Sequence, residues 1–255
     1  ASKNYLAHVR TLLASVAEHH PEFARVFVLC DEIDGYFDPA GEDFQTILAQ
    51  DLGIERFRHV AFQYSVVELN TAVKPFAIQH LMARYGFEQV IYLDPDIRVF
   101  RPLDELLDRL ATHEMVLTPH ITVPLPQDGC SPDEKVLLRA GSYNLGFAAF
   151  RRSPAVDQLL AWWSGHLARE CFSAVREGIF VDQRWMDLAP GFLDSAAILR
   201  HPGYNTAYWN LAHRPISEEA PGKYLAAGEP LAFFHFSGYD PRVPRQLSKY
   251  SDRFD

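Results

Sequence analysis

Two aspartates one residue apart, Asp94 and Asp96, directly follow the apolar run Val90-Ile-Tyr-Leu93. An unpaired carboxylate is too costly to bury, so each must meet a cation, a helix N-terminus or water. Oxygen ligands of this kind suit a hard divalent ion, Mg²⁺ or Mn²⁺, shared with the phosphates of a ligand. A solvated turn satisfies the same two residues, and an Asp-x-Asp pair arises easily by chance, so it is the position at a strand end that favours metal. A second feature lies near the C-terminus, where His235 stands inside Leu231-Ala-Phe-Phe-His-Phe-Ser-Gly238. A histidine there is either a hydrogen-bonded core residue or a third ligand, delivered before a glycine that lets backbone approach closely. Imidazole would favour Mn²⁺ over Mg²⁺.

Three further sets of residues carry two readings each. Asn144-Leu-Gly146 is a turn or an amide aimed at a ligand, and Asp182-Gln183 is a helix N-cap opening a short helix or a polar pair at a site. Lys74 is a solvated surface lysine or the neutraliser of a phosphate. Trp162, Trp163, Trp185 and Trp209 suit either a large core or a sugar face. Trp209, close in sequence to His201, Tyr204, Asn205 and Asn210, is the better site candidate.

The elements that must position these residues follow from periodicity. Leu6, Val9, Leu12, Leu13 and Val16, spaced by three and four, predict a helix over 4–20. An apolar run over 25–30 ending at Asp31 predicts a buried strand, and 43–52 reads as a second helix. A helical region spans 66–85, with Pro75 interrupting or opening a helix and Gly86 as its stop. Strands are expected over 89–93, 115–118, 147–150 and 231–236, and a helix over 103–110. Ser153 and Pro154 cap and open a helix that runs toward Arg169. The stretch 119–132 reads as a Pro/Gly-rich loop, and 120–133 as a loop that helps enclose substrate. Strands alternating with helices predict an α/β fold with a mostly parallel central sheet and ligand contacts at the strands' carboxyl ends.

Composition narrows the function. A chain of 255 residues with 48% hydrophobic residues buries a core without disulfide or metal staples. One domain, or two closely packed halves, is the expectation. A formal charge of -9 has the wrong sign for coating nucleic acid or anionic membrane. Cys30, Cys130 and Cys171 fit neither a disulfide framework nor a CxxC site, which points to a reducing, cytoplasmic setting. No apolar run approaches the roughly 18 residues needed to span a bilayer, and the start of the chain does not read as a signal peptide.

Taken in order, Asp94/Asp96, Asn144/Gly146, Asp182/Gln183 and His235/Gly238 resemble the motif series of retaining, nucleotide-sugar-dependent glycosyltransferases of the GT-A fold, particularly the family 8-like group. Asn4-Tyr5-Leu6, Phe180-Val-Asp-Gln-Arg-Trp185, His201-Pro-Gly-Tyr-Asn205 and Tyr208-Trp-Asn-Leu211 resemble a bacterial subgroup of such enzymes. The resemblance covers nearly the whole chain. It implies a single GT-A domain with a nucleotide-binding half over about 1–118 and an acceptor and sugar half over about 119–255. The implied activity moves a sugar from a UDP-sugar to a glycan or protein acceptor with retention. Mn²⁺ (or Mg²⁺) would sit on Asp94, Asp96 and His235. Lys3, Asn4, Tyr5 and Asp31 would lie near the base and Lys74 near phosphate or sugar. Asn144, Gly146, Asp182, Gln183 and Gly238 would surround the donor, with Asn144, Asp182 and Gln183 as catalytic residues.

No residue announces itself as a nucleophile, which favours acceptor attack on the face the leaving group vacates, although Asp182 is the residue for a covalent route. Two departures stand out. Pro241 occupies the place of a family lysine on the diphosphate, with Arg242, Arg245 or Lys249 as replacements. The family also has a strand before the segment resembling Lys3-Asn4-Tyr5, so the chain is expected to lack a first strand or to come from a longer protein. Two alternatives remain: a sugar nucleotidyltransferase, for which no Gly-rich phosphate loop is seen, and a non-catalytic domain that binds nucleotide or glycan.

Overall fold

The structure is a computed structural model and describes residues 1–254. Helix α1 (Leu6–His19) leads to a parallel pair, β1 (Val26–Leu29) and β2 (Gln45–Leu48). Helices α2 (Phe57–Gln63), α3 (Val66–Ala72) and α4 (Lys74–Tyr85) precede β3 (Gln89–Leu93) and β4 (Ile97–Val99). Then come α5 (Asp104–Thr112), β5 (Met115–Leu117), α6 (Glu134–Ala140), β6 (Phe147–Arg151) and α7 (Pro154–Leu167). The remainder holds short strands: β7 (Ser173–Ala174), β8 (Ile179–Phe180), β9 (Ala196–Ile198), β10 (Ile216–Ala220), β11 (Lys223–Ala226), β12 (Glu229–Pro230) and β13 (Phe233–His235).

The central sheet has the order β3-β6-β5-β9. Alternate residues of β6 serve opposite faces, as the pleat requires. Ala148 and Phe150 pack with Ile78, Met82, Leu160 and Trp163 from α4 and α7. Phe147 and Ala149 pack with Leu12, Val16, Leu106 and Leu110 from α1 and α5. The fold is therefore α/β with helices on both faces, but the sheet is mixed rather than mostly parallel. Strand β6 runs antiparallel to both β3 and β5, and only β5 with β9 is parallel. The cause is the 118–146 segment, which leaves β5 and returns at the same end of the sheet, closed by an antiparallel bridge between Pro119 and Tyr143.

The 43–52 segment is not a helix. It forms β2 and a short 3₁₀ turn, Ala49–Asp51, because pairing with β1 buries Ile47 in the core; here tertiary pairing overrides local propensity. The 66–85 region divides at Val73. Ser65 and Glu68 form a reciprocal capping box on α3, Pro75 occupies the first turn of α4, and Gly86 stops it at φ 72°. Asp182 caps nothing: the 3₁₀ turn Arg184–Asp187 begins after Gln183 without a side-chain cap. No helix among the described residues is long and apolar enough to cross a membrane. Strands β1 and β3 are not paired with each other, and between them lies an apolar cavity of about 470 Å³ lined by residues such as Leu13, Val26, Val28, Ile78, Leu81 and Ile91.

Registers, rather than loops, bring the sequence motifs together. Leu93 pairs with Phe147, and the ladder continues one step as Asp94 N–H donates to Gly146 O at 2.7 Å. Strand β13 pairs with β4 so that His235 faces Ile97, and Phe236 N–H donates to Asp96 O at 2.8 Å. Helix α1 pins this edge from the other side. Ser15 Oγ, buried, accepts from Val99 N–H at 3.1 Å, and His20 Nε2 accepts from Leu103 N–H at 2.8 Å. Ser15→Ala strands the Val99 amide in a dry place, which should cost about 1–3 kcal/mol, read as a lower urea midpoint at unchanged m-value. An unchanged midpoint would show that α1 does not hold β4 through this bond.

Candidate functional site

Asp94, Asp96 and His235 converge where β3 ends and β13 meets β4, and one ligand atom from each lies within 4.8 Å of the others. His235 Nε2 is 3.1 Å from Asp96 Oδ1. Burial works against the charge on Asp96, but the neighbouring His235 outweighs it and holds the carboxyl below its ordinary value. Burial likewise pushes His235 down, and Asp96 more than reverses this, leaving the imidazole raised. Two carboxylates and an imidazole are a donor set that fits Mn²⁺ well and Mg²⁺ less well. The ring sits in a cradle made by Gly146: a Cβ there would come 2.2 Å from His235 Cε1. Glycine is required at 146 for space, so the Asn-x-Gly motif and the histidine motif are two halves of one packing arrangement.

Asn144 joins the same group from above. Its Oδ1 lies 3.1 Å from His235 Nδ1 and accepts from Gly146 N–H at 3.1 Å, and its Nδ2 donates to Gln183 Oε1 at 3.3 Å. Gln183 is anchored in turn, with Nε2 donating to Ala140 O at 2.9 Å.

Lys74 is not a surface residue. It is 3% exposed, and its Nζ lies 2.8 Å from Asp182 Oδ2, 3.4 Å from Asp94 Oδ1, and donates to Leu145 O at 2.8 Å. The contact with Asp182 is one of charges rather than an aligned hydrogen bond. Burial depresses the ammonium, yet Asp182 and Asp94 together raise it, so Lys74 stays charged. Asp182, also buried, is raised by desolvation against the pull of Lys74. Trp163 Nε1 donates to Asp182 O at 3.1 Å, and the preceding Val181 sits at φ 41°, a strained conformation for a β-branched residue.

The N-terminal segment closes the side toward β1. Lys3 N–H donates to Asp31 Oδ2 at 2.6 Å, while the Lys3 ammonium is taken up by Asp34 and Glu32 O. Asn4 is exposed. Burial, and then the charge of Asp96, raise the Tyr5 phenol, with Lys249 opposing. Gly238 has φ 76°, and a Cβ on it would strike Ser248 Oγ at 2.5 Å and the Tyr250 ring at 2.6 Å. This lets the 248–250 segment fold back, with Lys249 N–H donating to Gly238 O at 3.0 Å. Pro241 is exposed, and Arg242 is held by Asp240 at 2.7 Å.

Sequence reasoning missed Tyr92, Thr118 and His120 and gave Asn205 no role of its own. Tyr92 donates its hydroxyl to Asp94 Oδ1 at 2.6 Å, and its ring lies 4.6 Å from Lys74 Nζ. Thr118 and His120 follow β5 as Asp94 and Asp96 follow β3, and that shared strand-end position was the available signal. Asn205, named beside Trp209 and at the end of the His201–Asn205 motif, donates to Asn144 and Thr118. Trp209 stands edge-on to His235 at 5.2 Å between ring centres, with its buried indole N–H unpartnered.

No protein-family model matches the chain. It is similar to two uncharacterized proteins of Bacillus subtilis strain 168. YfnF is 27% identical over 168 residues, which cover 66% of this chain and 55% of YfnF. YfnD is 20% identical over 244 residues, covering 93% of this chain and 76% of YfnD. The chain thus spans about half the length of YfnF. Among solved structures it resembles the galactosyltransferase LgtC in complex with donor and acceptor sugar analogs. The TM-score is 0.51 at 19% identity, over 92% of this chain and 84% of that one. This likeness is one of fold, and the fold is GT-A.

His120 supplies a pH test of this cluster. It is buried with its Nε2 3.4 Å from Asn144 Nδ2, and desolvation pulls the ring down from 6.5 to about 4. The unfolded chain binds this proton below 6.5 and the folded protein only below about 4, so the contribution is complete above 6.5 and is lost as pH falls to 4. By linkage that loss amounts to about 2–3 kcal/mol. Urea unfolding at pH 7 and 4.5 should show His120→Gln with a shallower acid loss than the wild type. Equal losses would contradict the burial of a neutral ring.

Proposed function

We propose that the protein is a metal-dependent glycosyltransferase that moves a sugar from a UDP-sugar to a glycan or protein acceptor with retention of configuration. The observation that carries this reading is the convergence of Asp94, Asp96 and His235 within 4.8 Å at one end of a GT-A sheet. These three residues would hold a divalent ion, which when bound supplies positive charge to the departing diphosphate.

The chain's own residues account for the rest. Lys74 lies 2.8 Å from Asp182 and 3.4 Å from Asp94 and supplies the positive charge that faces both carboxyl groups in a buried place. Asp182 then presents an oxygen that tolerates an oxocarbenium-like sugar, while the Gln183 amide oxygen, taken by Leu145 N–H and Asn144 Nδ2, holds Asn144 in place. A carboxylate already paired with an ammonium at 2.8 Å is a poor nucleophile, which favours acceptor attack on the face the leaving group vacates. In place of the lysine expected at 241, Lys249 is the cation best situated for the diphosphate. Its backbone is fastened to Gly238, three residues beyond His235, and its ammonium lies 5.0 Å from the Tyr250 ring with no carboxylate partner among the described residues. Lys3 and Arg242 are already paired.

The test is Mn²⁺-dependent hydrolysis or transfer from UDP-sugars. Asp96→Ala and His235→Ala should each lower turnover by about 100-fold or more. Lys249→Ala should raise the donor KM by about 10-fold, a change of about 1.4 kcal/mol. Full metal-dependent turnover in Asp96→Ala would end the assignment.

A further inference from the structure

Asn144 Oδ1 is met at 3.1 Å by three groups: Gly146 N–H, Asn205 Nδ2 and His235 Nδ1. The first is a main-chain amide, which only donates, so the atom facing it is an oxygen. The groups from Asn205 and His235 must then bring hydrogens as well. The amide orientation is fixed a second time on its other side. Asn144 Nδ2 faces Gln183 Oε1, and that oxygen already accepts from Leu145 N–H at 2.9 Å. The His235 proton therefore belongs on Nδ1. The competing arrangement would place it on Nε2, shared with Asp96 Oδ1 at 3.1 Å, and would occupy the lone pair a cation needs.

Asn205 is built into this arrangement at a cost. It is 1% exposed, holds the left-handed conformation at φ 53°, and leaves its own Oδ1 buried without a partner. An orphaned buried acceptor is unfavourable, and non-glycine residues in left-handed backbone cluster where structure serves function. Its backbone is held there by Asn210 Nδ2, which donates to Asn205 O at 3.0 Å. What Asn205 gains is the reach of its NH₂, which donates to Thr118 Oγ1 at 2.7 Å and to Asn144 Oδ1 at 3.1 Å.

We infer that Asn205, acting through Asn144, is a positioning residue that keeps the His235 proton on Nδ1 and so reserves Nε2 for the divalent ion. Groups of this kind, bonded to the far nitrogen of a metal-binding imidazole, set its tautomer and orientation. The inference rests on the metal reading above but is tested partly without metal.

The first measurement is a long-range ¹H–¹⁵N correlation spectrum of histidine-labelled protein, metal-free and with Mg²⁺, with His235→Gln identifying the resonance. The wild type should carry the His235 proton on Nδ1 in both states. Asn205→Asp keeps the side-chain size and its tolerance of left-handed backbone while replacing the NH₂ donor by an acceptor. It should lose the Nδ1–H signal and weaken Mn²⁺ binding, followed by electron paramagnetic resonance, by about 10- to 100-fold. A purely structural role would lower the melting temperature without moving the proton. A wild-type ring with a proton on Nε2 and none on Nδ1 overturns the inference without any variant, and so does an Asn205→Asp protein with wild-type signal and Mn²⁺ affinity. A wild type that holds Nδ1–H but takes up no Mn²⁺ sinks the metal reading while upholding the proton assignment.

Discussion

The charge balance at the carboxyl end of β3 governs the rest of the site. Asp94, Asp96 and Asp182 are brought together there, and Lys74 is the buried lysine that answers them. Buried charge is tolerated only when paired, and one ammonium leaves two carboxylate charges to be met. In the ion-free protein His235 lies 3.1 Å from Asp96, whose carboxylate raises the imidazole. A divalent ion would meet both and would compete with any proton for Nε2 of the histidine. The acidic character of the whole chain thus has a local counterpart that, on the proposed reading, would accept an anionic diphosphate only with an ion bound.

Register makes this concentration of charge possible. The reversal of β6 carries Asn144 and Gly146 back to the end of β3, and the pairing of β13 with β4 sets His235 beside Asp96. Neither depends on a flexible loop. The strained backbones of Val181 and Asn205 flank the same cluster and are held from outside it, by Trp163 next to Asp182 and by Asn210. The geometry is therefore imposed by packing around the site, which would keep the proposed metal ligands in place with or without an ion.

Much of this was visible in the sequence. Apolar runs that stop at acidic residues located β1 and β3, and the spacing of Leu6, Val9, Leu12 and Val16 located α1. Pro75, Gly86 and the Ser153-Pro154 pair marked helix ends because their backbone constraints are local. What was hidden depended on partners far along the chain. Strand β2 read as a helix because only pairing with β1 extends it. The direction of β6 was invisible because strand composition does not encode which neighbour a strand meets. Lys74 resembled a surface lysine, since its partners Leu145 and Asp182 lie 71 and 108 positions away. Asn144 and Gly146 read as a turn or as ligand contacts, whereas their nearest business in the folded protein is with the His235 ring.

The claim that Asp94, Asp96 and His235 form a divalent-metal site is tested most directly by crystals grown with Mn²⁺ and UDP, measured at the manganese absorption edge. The account predicts one strong anomalous peak between the Asp96 carboxylate and His235 Nε2, with the diphosphate on its open side. Bound UDP with no anomalous peak there, or manganese held elsewhere while Asp96 and His235 remain in contact with each other, would contradict it.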